Sequence, residues 1–135
     1  MKYILLTTLA SMGLLISLYF PFLNSRGTAA AFRYLPSFCR IDGQTCERIL
    51  SHPDARLFGV PNYVLGLLYY VLVLVLSFGH AHPLFVTAMR IASWITVALA
   101  AYLIYSLYYR VKVTCQMCLA SHAVNLLLSI LLTLW

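Results

Sequence analysis

Four cysteines lie in two pairs: Cys39 and Cys46 in the one long polar stretch of the chain, and Cys115-Gln116-Met117-Cys118 at the head of its last apolar segment. A single reactive thiol would suggest a nucleophile, and four clustered thiols a metal. One pair in a polar loop and another at the edge of an apolar segment suggest instead a disulfide relay that passes electron pairs from water toward lipid. A Cys-x-x-Cys at a helix start puts both sulfurs on one face, so one can resolve a mixed disulfide formed by the other. Cys115, Cys118, His122 and Asn125 fall at i, i+3, i+7 and i+10, a polar stripe on a segment otherwise rich in Leu, Ile and Val. Polar groups at membrane depth are costly and usually line an interior site. The plainer alternative for His122 is a core histidine bonded to a backbone carbonyl.

Composition dictates what must position these residues. With 63% hydrophobic and 9% charged residues and a mean hydropathy of +0.91, the chain cannot be a water-soluble surface around a core, and it reads as an integral membrane protein. Its 135 residues hold one small membrane domain, leaving no room for a separate soluble catalytic domain. Crossing a bilayer takes ~20 apolar residues, and four stretches qualify, at about 3–23, 61–78, 91–109 and 115–135. None carries Lys, Arg, Asp or Glu in its middle. Backbone groups in lipid must pair internally, and without an alternating strand pattern such segments do so as helices. The expected fold is therefore an all-α integral membrane bundle of four transmembrane helices, with one long loop over 24–59. Thr28-Ala29-Ala30-Ala31 offers small residues for signal cleavage, but the first apolar run exceeds the ~7–15 residues of a signal core and is read as a retained helix. Pro21 is expected to kink or end it.

An even number of spans puts the 24–59 loop and the 110–114 connection on one face, so the two cysteine pairs can meet. Arg26, Arg33, Arg40, Arg48, Arg56, Arg110 and Lys112 lie on that face, against Lys2 and Arg90, with His80 and His82, on the other. The positive-inside count would make the cysteine face cytoplasmic. Disulfide-forming chemistry belongs outside the reducing cytosol, and it is followed here: the loop is expected to be extracytoplasmic and the protein to sit in the plasma membrane. Within the loop, Arg40 to Thr45 reads as a turn, with Thr45 capping a short amphipathic helix from Cys46 to Ser51. First-turn N–H groups together with Arg40 and Arg48 would favour the Cys46 thiolate. The alternative is a structural disulfide stapling the loop.

Taken together, these residues resemble the vitamin K epoxide reductase family, in particular its prokaryotic disulfide-forming homologues. The likeness covers most of the chain from Cys39 onward. It comprises Cys39 and Cys46, Ser51 five residues later, Phe58-Gly59-Val60-Pro61-Asn62-Tyr63-Val64-Leu65-Gly66 opening the second helix, and Cys115-Gln116-Met117-Cys118 opening the fourth. The resemblance implies a membrane thiol-disulfide oxidoreductase in which Cys39 and Cys46 exchange with a partner, Cys115 exchanges with Cys46, and Cys118 faces a quinone of ubiquinone or menaquinone type. Asn62 resembles the family asparagine that bonds a quinone carbonyl, with a helix N-cap as its structural alternative. His122 and Ser51 join it as candidate cofactor-site residues. The implied partner is a separate thioredoxin-like or DsbA-like protein with its own Cys-x-x-Cys site; no nucleic acid is implied.

The departures are informative. Vertebrate members carry Thr-Tyr-Ala where this chain has Ser121-His122-Ala123, and the interval from Cys46 to Asn62 is short. Both favour a disulfide-generating homologue over an enzyme of the vitamin K cycle. The other bacterial quinone-linked disulfide generator places its Cys-x-x-Cys first and its spaced pair later, the reverse of this order. A different class of reading has the four thiolates, with His52 or His122, holding or passing a soft metal; a non-catalytic subunit stapled by disulfides is a third.

Overall fold

The computed structural model describes residues 1–26, 52–79, 81–113 and 115–135. Cys39, Cys46, Ser51, the expected turn over 40–45 and the expected amphipathic helix over 46–51 lie outside the described residues.

Among the described residues four helices carry the fold: α1 (Lys2–Arg26), α2 (Asn62–Phe78), α3 (Pro83–Ser106) and α4 (Gln116–Thr133). The windows Lys2–Tyr19, Pro83–Val111 and Gln116–Thr133 are long and apolar enough to cross a membrane, and α2 is a shorter apolar helix of 17 residues. Two boundaries differ from expectation. α1 runs through Pro21 to Arg26, since one lost N–H near a helix end is tolerated where the rest of the ladder holds. α3 begins at Pro83, well before Ile91: Pro83 stands at its first position and His82 Nδ1 accepts the N–H of Leu84 at 3.2 Å. Arg90, whose charge marks the edge of the apolar run, therefore lies inside the helix, where its Nε donates to the Leu132 carbonyl at 3.0 Å.

α1 packs against α2 and α4, and α3 against α4. The tightest part of the core joins Leu6 and Ala10 of α1, Tyr70, Val73 and Leu76 of α2, Met89 of α3, and Leu128 and Leu132 of α4. Small residues let the helices approach. A Cβ on Gly13 would overlap the Tyr70 ring, and one on Gly66 would sit 2.9 Å from Ser17 Oγ. Buried serines tie the seams: Thr7 Oγ1 bonds Ser77 Oγ across α1 and α2 at 3.1 Å, and Ser129 Oγ of α4 reaches the Ser93 carbonyl of α3 at 2.9 Å. Large apolar side chains such as Leu15, Leu68, Val75, Ile95 and Leu127 point outward. That is the distribution expected where hydrocarbon surrounds the bundle and packing plus hydrogen bonds, rather than burial from water, hold helices together.

Between the described end of the loop and α2, a 3-10 turn (Pro53–Ala55) leads into a small hairpin, β1 (Arg56–Leu57) with β2 (Val60–Pro61), in the register Arg56↔Pro61 and Leu57↔Val60. Phe58 (φ 53°) and Gly59 (φ 81°) form its tip, the two positive φ values that a tight two-residue hairpin demands. α3 continues into a π turn (Leu107–Val111), which ends on Lys112 in the left-handed region (φ 58°). This stop reverses the chain toward Cys115.

Candidate functional site

Cys115 is the N-cap of α4, and its Sγ accepts the N–H of Cys118 at 3.1 Å. The two cysteines form a disulfide with a Cα–Cα distance of 5.3 Å, within the ordinary range for such a bridge. Cys115 is buried, whereas Cys118 is half-buried and opens onto a cavity of about 200 Å³. When reduced, a sulfur in this first turn sits where the helix N–H groups favour its thiolate.

All four helices and the 3-10 turn line that cavity. Ile16, Leu99 and Leu103 make apolar walls. Opposite them, α4 presents Cys118, Ser121, His122 and Asn125, the continuous face that helical spacing predicts. Tyr70 of α2 organises part of this wall: its hydroxyl donates to Asn125 Oδ1 at 2.6 Å and lies 3.3 Å from Ser121 Oγ. This bond engages Oδ1 of Asn125, itself a residue of the cavity wall. His122 Nδ1 is buried without a hydrogen-bond partner among the described residues, so the carbonyl-bonded alternative does not describe that nitrogen. Buried polar atoms rarely stay unsatisfied, and those that do call for a ligand or water.

Asn62 lines the same cavity but does not cap α2. Pro61 holds the N-cap position, and Asn62 Nδ2 donates to the backbone carbonyl of Asp54 at 3.1 Å. One amide hydrogen and Oδ1 remain for a ligand.

Asp54, which sequence reasoning passed over, is the most connected side chain at this end of the bundle. It accepts hydrogen bonds from Ser106 Oγ, from Tyr102 at 3.2 Å and from Arg110, whose Nη1 lies 3.0 Å from Oδ2. His52 Nδ1 accepts the Asp54 N–H at 3.2 Å and stands 3.7 Å from Oδ2. The Ser106 hydrogen bond foremost, with Arg110, Tyr102 and His52 behind it, outweighs desolvation and holds the Asp54 carboxyl below the usual carboxylate range. A signal was present: Tyr102, Ser106 and Arg110 fall at i, i+4 and i+8, one polar stripe on an apolar helix, and Asp54 is the sole acidic residue among the described residues. These contacts bring the 52–55 turn against the end of α3 and the π turn that follows it.

The site thus sets a two-electron redox group, a disulfide, against a largely apolar space into which a few polar atoms converge. A search of curated proteins finds no match. A family model described as the vitamin K epoxide reductase family matches residues 4–133. Since that match spans nearly the whole of a membrane-type helical chain with its dithiol at the cavity, the chain belongs to the vitamin K epoxide reductase family, a family of oxidoreductases.

Proposed function

We propose that this protein is a four-span thiol-disulfide oxidoreductase of the plasma membrane that oxidises a thioredoxin-like or DsbA-like partner on its extracytoplasmic side and disposes of the electrons to a membrane quinone. The observation that carries the reading is the Cys115–Cys118 disulfide, with Cys118 opening onto a cavity that also holds the unpartnered Nδ1 of His122. Drug-sized sites begin at ~300 Å³, so a cavity of about 200 Å³ suits a ring head group whose tail stays in lipid. When bound, a quinone supplies an acceptor for two electrons and two protons.

The residues divide the work. The Cys39–Cys46 disulfide takes two electrons from the partner dithiol, which becomes a disulfide as its protons pass to the loop sulfurs. The Cys46 thiolate then attacks Cys115 and displaces Cys118, and the Cys39 thiolate attacks Cys46, which restores the loop disulfide and leaves Cys115 and Cys118 reduced. Cys118 lies against the acceptor. Asn62, His122 and Asn125 offer hydrogen bonds to ring oxygens, and Ile16, Leu99 and Leu103 keep water away. Ser51 belongs to this site by resemblance alone.

The test combines two measurements. Purified protein, reduced thioredoxin and a short-chain quinone should together give loss of quinone absorbance, and absence of turnover with ubiquinone and menaquinone analogues alike would sink the enzyme reading. In Cys39→Ala the exchange cannot be resolved from the loop side, so peptide mapping should find Cys46 joined to Cys115. Free Cys46 with an intact Cys115–Cys118 bridge would rule out direct exchange between the pairs.

A further inference from the structure

The relay described above gives Asp54 no part, yet the described chain spends more hydrogen bonds on this carboxylate than on any other side chain. Ser106 and Tyr102 come from α3 and Arg110 from the π turn that follows, while Asp54 itself belongs to the one-turn segment beside His52. The Asp54 backbone is committed as well, its N–H to His52 Nδ1 and its carbonyl to Asn62 Nδ2. His52, Asp54, Ala55, Asn62 and Ser106 all line the cavity, whereas Arg110 stands outside it and half-exposed. The carboxylate is therefore a clasp whose inner side forms part of the cavity wall.

We propose that Asp54 is a positioning residue for the ligand of the Cys118 cavity: by tying the 52–55 turn to Tyr102, Ser106 and Arg110, it closes the loop side of the cavity and holds the Asn62 amide toward the bound ring. The inference rests on the quinone reading and adds to it a residue that need not touch the ring. One hydrogen bond to the Asp54 carbonyl sets the Asn62 amide, and that carbonyl is held only as firmly as its own side chain. A closed loop side also directs the ring to enter from lipid.

The clasp has a predictable pH response. The groups facing Asp54 are Ser106, Tyr102 and Arg110 from the α3 side, His52 from its own turn and Asn62 from α2. A carboxylate with a lowered pKa keeps its ties throughout the neutral range and loses them as pH falls through that lowered value. Removing Ser106, the strongest lowering contact, should move the loss to higher pH.

Binding to the oxidised protein, whose disulfide has no electrons to give, separates positioning from turnover. With menadione as the probe and quenching of intrinsic fluorescence as the readout, Asp54→Asn should bind about three- to tenfold more weakly, the effect of one misplaced hydrogen bond. Arg110→Gln, which leaves the cavity wall untouched, should shift binding the same way, and Arg110→Lys should recover part of the loss. A wild-type far-ultraviolet circular dichroism spectrum verifies that each variant is folded, and a thiol count that it is oxidised. Ser106→Ala should raise the pH at which affinity falls, and should do so again in a His52→Gln background, which removes the neighbouring imidazole. If wild type binds menadione and Asp54→Asn and Arg110→Gln bind it equally well, the clasp is refuted while the quinone reading stands. If wild type binds neither menadione nor a short-chain ubiquinone, the quinone reading falls and the clasp falls with it.

Discussion

His122 and Asn125 share one wall of the cavity but differ in how firmly they are held. Asn125 is oriented by the Tyr70 hydroxyl at 2.6 Å, whereas His122 Nδ1 has no protein partner among the described residues. A ring oxygen bonded to His122 should therefore be worth an ordinary neutral hydrogen bond, ~0.5–1.5 kcal/mol. His122→Ala is expected to lower steady-state quinone reduction by up to about tenfold; an unchanged rate would place His122 outside the site. Tyr70→Phe acts one step back. It removes the bond that fixes the Asn125 amide, so quinone KM should rise while the far-ultraviolet circular dichroism stays that of the wild-type helices. If KM does not change, the amide is oriented by something other than Tyr70.

At the scale of elements, the close approach of α1 and α2 decides whether Tyr70 reaches α4 at all. Gly13 gives the ring its seat, and any Cβ there must push the ring or the helices aside. Overpacking of this kind costs ~1–3 kcal/mol, so Gly13→Ala should lower the thermal midpoint in detergent and weaken quinone binding together. Loss of neither would mean that the helices separate at no cost. The hairpin makes a contrasting case. Nothing lies within 4 Å of a Cβ on Gly59, but φ is 81°, and the left-handed region costs an L-residue roughly 1–2 kcal/mol. Gly59→Ala should destabilise by about that amount, read as a lower midpoint in the same detergent melt, and a wild-type midpoint would show that the tip can change its turn.

For the whole molecule the open contest is between charge and chemistry. Four spans would put the 24–59 stretch and the 110–114 connection on one face, which would then carry most of the chain's basic residues; the positive-inside rule assigns such a face to the cytoplasm, whereas disulfide formation belongs outside it. The expected outcome is that a membrane-impermeant thiol reagent labels Cys39 or Cys46 on intact, reduced cells. Labelling only after lysis would place the loop in the cytoplasm.

Membrane class, helix type and the polar stripe of α4 were legible in the sequence because each follows from a one-dimensional pattern: span length, hydropathy, and a 3.6-residue period that puts Cys118, His122 and Asn125 on one face. Cys39 and Cys46, Ser51, the Phe58 to Gly66 run and the Cys-x-x-Cys together carried the family resemblance, and a match over residues 4–133 shows that family. Local chemistry overruled hydropathy at two boundaries, where Pro83 with its His82 cap opens α3 early and α1 carries on through Pro21. The tertiary structure alone decided which residues meet. Asp54 lies 52 residues from Ser106 and 56 from Arg110, and Tyr70 lies 55 from Asn125. Periodicity says which face of a helix a side chain occupies, but not which helix it faces. That choice falls to the packing of small residues such as Gly13 and Gly66 and to the few polar groups that must find partners inside an apolar bundle.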